Sequence, residues 1–229
     1  MTIPRPLIII GCPRSGTTLL RQLVSVGFSG VTAQGGFEST PFDSFWEQDW
    51  SSTDSMKFAL YKMAELPFDN PQLYRNLVLG RNGLILCIVR DPRSLVTSTY
   101  DGKDYWRETR DDFEVLHPFM RWQRMAFHAM GNMSVNRSWF HLVRYEDLLT
   151  RPASCQADIG MFLNCPPTVS FSRAHEVIEP EKFADLAMNG IRPLDPSRAA
   201  VPDVDALAER GYTLDSMTIK IMERIGYEI

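Results

Sequence analysis

The sequence predicts an α/β protein: one domain built on a parallel sheet flanked by helices. Short apolar runs alternate with amphipathic stretches along most of the chain. The three clearest apolar runs each end in a polar segment, as strands do when they carry ligand-binding loops at their carboxyl ends. A chain of 229 residues, 44% hydrophobic and 23% charged, can bury one sizeable core, so residues 1–229 are expected to form a single domain.

The first strand, Pro6 to Gly11, contains the run Leu7-Ile8-Ile9-Ile10 typical of a strand buried on both faces. A turn through Arg14 and Gly16 follows, and helical periodicity then extends from Thr17 to Val26. Thr40 to Trp50 and Met56 to Leu66 are also expected to be helical. Leu84 to Val89 forms the second strand. Behind it Asp91 can cap, and Pro92 can open, a helix running to Tyr100. Phe113 to Met130 is an amphipathic helix and Trp139 to Val143 the third strand; Ala153 to Leu163 and Leu214 to Ile225 complete the helices. Ser170 to Arg210 is rich in proline and charge without periodicity and is expected to be a long irregular loop.

A net charge of −4 argues against a nucleic-acid surface while leaving room for a local basic pocket around an anion. Arginine outnumbers lysine, which suits bidentate recognition of phosphate or sulfate and can equally reflect genomic composition. Cysteines 12, 87, 155 and 165 lack metal-type or disulfide-scaffold spacing, so reduced thiols and a cytoplasmic location are expected, with no metal site. Cys12 reads as a small buried residue, because a phosphatase-type C-x-x-x-x-x-R loop would need arginine where Thr18 stands. No segment has the length of a membrane span, and no membrane partner is expected. The oligomeric state is not legible.

The segment Gly11-Cys12-Pro13-Arg14-Ser15-Gly16-Thr17-Thr18 gives the fold a P-loop-like character. Gly11, Gly16 and Thr18 occupy the glycine and final hydroxyl positions of G-x-x-x-x-G-K-[ST], but Thr17 replaces the lysine. In a P-loop NTPase that lysine serves the β/γ-phosphates, so this loop should handle a different anion. The N–H groups of Ser15 to Thr18 can still cradle one at a helix N-terminus, and Arg14 is the cation within the loop.

Two further strand tips carry polar groups. In Arg90-Asp91-Pro92-Arg93-Ser94-Leu95-Val96-Thr97-Ser98, Arg90 at the strand tip and Ser98, expected two helical turns into the next helix, can grip a second phosphate. Taken by themselves, they are better explained by a surface ion pair of Arg90 and a helix-packing serine at Ser98. The third tip is Arg144-Tyr145-Glu146-Asp147-Leu148. The three segments together resemble the PAPS-dependent sulfotransferase family: its 5′-phosphosulfate loop, its arginine–serine 3′-phosphate motif and its YEDL segment. Ile225-Gly226-Tyr227 is similar to the family's terminal lGY. The resemblance covers most of the chain and looks closest to small bacterial members and to tyrosylprotein sulfotransferases, which also carry arginine in the loop.

The resemblance implies that Arg14, Ser15, Gly16, Thr17 and Thr18 hold the 5′-phosphosulfate of 3′-phosphoadenosine 5′-phosphosulfate (PAPS). Arg90, Ser98 and the Tyr145 hydroxyl would hold the 3′-phosphate. Arg192 resembles the late basic residue that closes over this cofactor, with Arg198 an alternative. The family's R-K-G closing loop is absent. Gly36-Phe37-Glu38-Ser39-Thr40 resembles the segment carrying a catalytic glutamate, with Phe37 in place of the usual acidic residue or proline. Glu38, partly desolvated by Phe37 and Phe42, is the candidate general base; His117, His128 and His141 are the rivals. Phe42, Phe45, Trp46 and Trp50 read as a buried helix face and could also wall an acceptor pocket.

The expected activity is transfer of a sulfuryl group from PAPS to a hydroxyl of a small molecule or peptide, releasing adenosine 3′,5′-bisphosphate. Arg14 and Glu38 would be catalytic. Two other readings stay open: a P-loop kinase or NTPase with Asp91 as a Walker-B aspartate, and a non-catalytic nucleotide-binding protein on the same fold.

Overall fold

The computed structural model describes residues 3–34, 50, 55–64, 80–100, 103–104, 117–178 and 192–229. Its strands are β1 (Arg5–Gly11), β2 (Val31–Ala33), β3 (Phe58–Met63), β4 (Leu84–Val89), β5 (Thr99–Tyr100), β6 (Lys103–Asp104) and β7 (Phe140–Arg144). Five form an all-parallel sheet in the order β2-β3-β1-β4-β7, while β5 and β6 pair antiparallel on their own. The described helices are α1 (Thr17–Gly27), α2 (Pro92–Val96), α3 (Pro118–Val135), α4 (Tyr145–Thr150), α5 (Pro152–Leu163), α6 (Val204–Ala208) and α7 (Ser216–Ile225).

Alternate side chains of the central strands feed two cores. Ile8, Ile10, Ile85, Cys87 and Val89 face α3 and α7, where Trp122, Met125, Ile221 and Met222 are buried. Leu7, Ile9, Leu84, Leu86 and Ile88 face α1, α4 and α5, contacting Leu20, Leu23, Val24, Leu148 and Ile159. Helices on both faces explain the continuous apolar runs, because neither face of the sheet reaches water. β1 lies between β3 and β4, with Ile10 opposite Met63 on one side and Cys87 on the other, and Val89 pairs with Arg144. The carboxyl ends of β1, β4 and β7 therefore stand side by side and bring their three turns together.

The expected strands fall in place within a residue or so, and four of the expected helices are present with shifted ends. Met56 to Leu66, expected as a helix, instead contains β3, every residue of which is buried. A short run of Phe, Ala, Leu, Tyr and Met carries no periodicity that separates a doubly buried strand from a buried helix. The helix from Pro92 stops at Val96, with Thr97 as its C-cap, so Ser98 lies in the turn beyond it. The Thr97 hydroxyl donates to the Arg93 carbonyl at 2.9 Å, the local bonding by which threonine competes with helix propagation. Residues 170–210 hold more structure than an irregular loop. Phe171–Glu176 and Pro196–Ala199 form 3₁₀ turns, and Asp203 caps α6. Residues 40–49 of the expected Thr40 to Trp50 helix lie outside the described residues.

Candidate functional site

The turn after β1 is compressed by the chain around it. A Cβ on Gly11 would lie 2.5 Å from Ser15 Oγ and 2.7 Å from the Ile88 carbonyl oxygen. Arg14 and Gly16 adopt positive φ, 71° and 99°, a conformation that L side chains rarely take and that is found at functional turns. Gly16 is the N-cap of α1 and brings no side-chain cap, so the first-turn N–H groups of α1 face outward without an intrahelical acceptor. The Ser15 N–H donates to the Cys12 carbonyl at 3.0 Å, and its buried hydroxyl has no hydrogen-bond partner. Thr17 is buried and Thr18 half-buried at the start of the helix.

The three turns touch. The Arg14 guanidinium reaches across to the second turn, its Nε donating to Ser98 Oγ at 3.4 Å and its Nη2 to the Thr99 carbonyl at 2.7 Å. In return Arg90 Nη1 donates to the Arg14 carbonyl at 3.1 Å. The Arg90 guanidinium lies over the Tyr145 ring, 4.5 Å from its centroid. The same ring packs against Gly16, where an added Cβ would lie 2.5 Å from Tyr145 Cδ2. Tyr145 thus wedges between the first and second turns, a part played by its ring and separate from the expected role of its hydroxyl. The Nε of Arg90 is buried with no hydrogen-bond partner.

Arg192 lies near the same group. Partial burial and the neighbouring Arg198 hold its guanidinium below the usual value, while Tyr145 and Asp195 act in the opposite sense. The Pro196–Ala199 turn packs on α4, and Arg198 is 3.6 Å from Asp195. Glu38, Phe37, Phe42, Phe45 and Trp46 lie outside the described residues. The histidines sit elsewhere: His117 caps α3, His128 packs against Phe140, and His141 stacks on Phe162 with ring centroids 5.3 Å apart. Burial lowers the pKa of both His128 and His141, with Asp158 partly opposing it at His141. Burial pushes the Cys87 and Cys155 thiols up to about 12, and Cys12 is buried as expected.

Lys62 was not anticipated. It is 1% exposed on β3, and its Nζ donates to Thr18 Oγ1 at 3.2 Å. A buried ammonium is costly unless polar groups receive it, and here it stands against the first turn of α1. The sequence signal was a lone lysine in an apolar run, which a helical reading places on the surface. Trp122 was also missed; its Nε1 donates to the Arg90 carbonyl at 2.8 Å.

The buried Asp91 carboxylate is engaged by Arg93 through both of its oxygens. Its Oδ1 accepts from the Arg93 N–H at 2.8 Å and from Arg93 Nε at 3.0 Å, and its Oδ2 accepts from Arg93 Nη2 at 2.8 Å. This pairing leaves the Walker-B assignment without structural support. The family model described as "Sulfotransferase domain" matches residues 4–186. The chain belongs to the sulfotransferase family. Solved sulfotransferase structures share its fold at low identity. The sulfotransferase domain from the curacin biosynthetic pathway aligns with a TM-score of 0.70 and 16% identity, over 100% of both chains. The domain from the Synechococcus PCC 7002 olefin synthase gives 0.61 and 16%, over 100% of this chain and 97% of that one. A mouse sulfotransferase complexed with PAP gives 0.51 and 13%, over 96% and 82%. No curated protein matches the sequence. Among the described residues, no helix of this sulfotransferase is long and apolar enough to cross a membrane.

Proposed function

We propose that this sulfotransferase uses PAPS as donor and a hydroxyl of a small molecule or peptide as acceptor. The observation that carries this reading is the contact of the three strand-tip turns, in which Arg14 spans the first two and Tyr145 lies against both. Adenosine 3′,5′-bisphosphate carries phosphates on two positions of one ribose, and two cationic turns side by side suit it. The donor set fits such a ligand: guanidinium groups, helix N–H groups, and the partnerless Ser15 Oγ and Arg90 Nε. The PAP bound to the mouse structure of similar fold is in keeping with this reading.

Bound PAPS would supply the sulfuryl group. Gly16, Thr17 and Thr18 would bind its 5′ end through the helix N-terminus, with the Ser15 side of the loop beneath. Arg90, Ser98 and Tyr145 would bind the 3′-phosphate, and Arg192 would close over the nucleotide. Glu38 would accept the acceptor's hydroxyl proton as the acceptor oxygen bonds to sulfur. Arg14 would stabilise charge developing on the bridging oxygen as its bond to sulfur breaks. Lys62, fixed on Thr18, would add positive charge from the β3 side, where the loop itself has Thr17 in place of lysine.

Calorimetry tests the reading directly. Adenosine 3′,5′-bisphosphate should bind without metal and much more tightly than ATP with Mg²⁺. Preference for ATP with Mg²⁺ would replace this proposal with the kinase reading.

A further inference from the structure

The peptide unit between Arg90 and Asp91 is held at both of its polar groups by side chains distant in sequence. Its carbonyl accepts from Trp122 Nε1 at 2.8 Å, and its N–H donates to Glu146 Oε1 at 2.9 Å. Glu146 is held in turn. The Tyr227 hydroxyl donates to its Oε2 at 3.1 Å. Tyr227 follows α7, where Gly226 turns the chain at a φ of 88° and Tyr227 is buried in the core beside Met222 and Ile225. Arg144 fastens that turn, lying 4.5 Å above the Tyr227 ring and donating through Nη1 to the Gly226 carbonyl at 3.0 Å. Arg93 adds a bond to the Glu228 carbonyl.

A peptide plane held at both ends has little freedom to rotate, and the direction in which the Arg90 side chain leaves the backbone depends on that plane. We propose that Tyr227 and Glu146 are positioning residues for Arg90, aiming its guanidinium at the 3′-phosphate through the Arg90–Asp91 peptide. The inference rests on the reading of Arg90 as the 3′-phosphate group's partner. Burial is consistent with a dedicated pair: it pushes the Glu146 carboxyl up, against the hydrogen bonds from Asp91 and Tyr227, and pushes the Tyr227 phenol up as well. Tyr227 lies beyond the residues 4–186 that the family model matches.

The test compares adenosine 3′,5′-bisphosphate with adenosine 5′-monophosphate, which differs from it only in lacking the 3′-phosphate. Tyr227→Phe keeps the ring beneath Arg144 and removes the hydroxyl. It should weaken bisphosphate binding about five- to tenfold and monophosphate binding by less than about twofold, as expected for the loss of one buried hydrogen bond. Glu146→Ala should show the same selective loss. Glu146→Gln should restore most of the selectivity, since its carbonyl oxygen can accept from Asp91 while its amide donates to the phenol oxygen. Equal losses for both ligands, or none, in stably folded Tyr227→Phe and Glu146→Ala proteins, or a Glu146→Gln protein no more selective than Glu146→Ala, would overturn the inference and leave the sulfotransferase reading standing. A wild-type protein that binds the two nucleotides equally would overturn both.

Discussion

The two turns proposed to hold the nucleotide's anionic groups are built in different ways. The β1–α1 turn takes its path from its own residues, Gly11, Arg14 and Gly16, with Ile88, Arg90 and Tyr145 packed against it, and the helix that supplies its donors begins at the next residue. The turn after β4 is assembled from afar. Trp122 and Glu146 hold its first peptide, the Ala200 carbonyl accepts from Ser94, Arg210 donates to the Thr97 carbonyl at 3.1 Å, and the C-terminal Glu228 carbonyl accepts from Arg93. A turn whose shape follows from adjacent residues survives distant changes. One whose shape depends on contacts made 32 to 135 residues away is sensitive to them, as the Arg90–Trp122 and Arg93–Glu228 separations illustrate. The first site should therefore respond to substitution mainly in chemistry, and the second mainly in affinity.

Substitutions can break that division. The largest effect is expected at Glu38, on the chemical side. Glu38→Gln cannot accept a proton, and turnover should fall by roughly 10²–10⁴ with bisphosphate affinity nearly unchanged. Phenolic acceptors, with a pKa of about 10, should lose less than aliphatic alcohols in steady-state assays. Loss of nucleotide binding in calorimetry would instead make Glu38 structural and return attention to His117, His128 and His141.

Arg14→Ala should lower turnover by about 10²–10³, the usual loss for one transition-state donor, with circular dichroism unchanged. Because Arg14 also bonds Ser98 and Thr99, this variant tests the division itself. A change confined to bisphosphate affinity would place Arg14 with the second turn. Lys62→Met, which approximates the shape of the buried side chain, provides the control from the opposite side of β1. It should lower turnover without altering the preference for a 3′-phosphate.

A smaller effect is expected at Arg90. Arg90→Ala should weaken adenosine 3′,5′-bisphosphate by about 1.5–3 kcal/mol, the range for a charge-assisted contact. Adenosine 5′-phosphosulfate, which lacks the 3′-phosphate, should be affected much less in the same titration. Equal losses would show that Arg90 serves the whole nucleotide site and would remove the distinction between the two turns.

The sequence by itself determined the α/β class, the strands β1, β4 and β7, and the grouping of their three polar ends. Runs such as Leu7-Ile8-Ile9-Ile10 and Leu84 to Val89 are locally unambiguous, and in parallel strands the polar residues that follow must share one edge. Asp91 and Pro92 likewise announced the start of α2. Tertiary structure alone decided that Phe58–Met63 is a strand, because burial on both faces erases the periodicity by which a helix is recognised. It alone put the Lys62 ammonium against Thr18, ended α2 before Ser98, and joined Tyr227 to Glu146. A side chain's local sequence governs the backbone it sits on; whether that side chain meets an anion, a carbonyl or a carboxylate depends on which distant segment packs beside it.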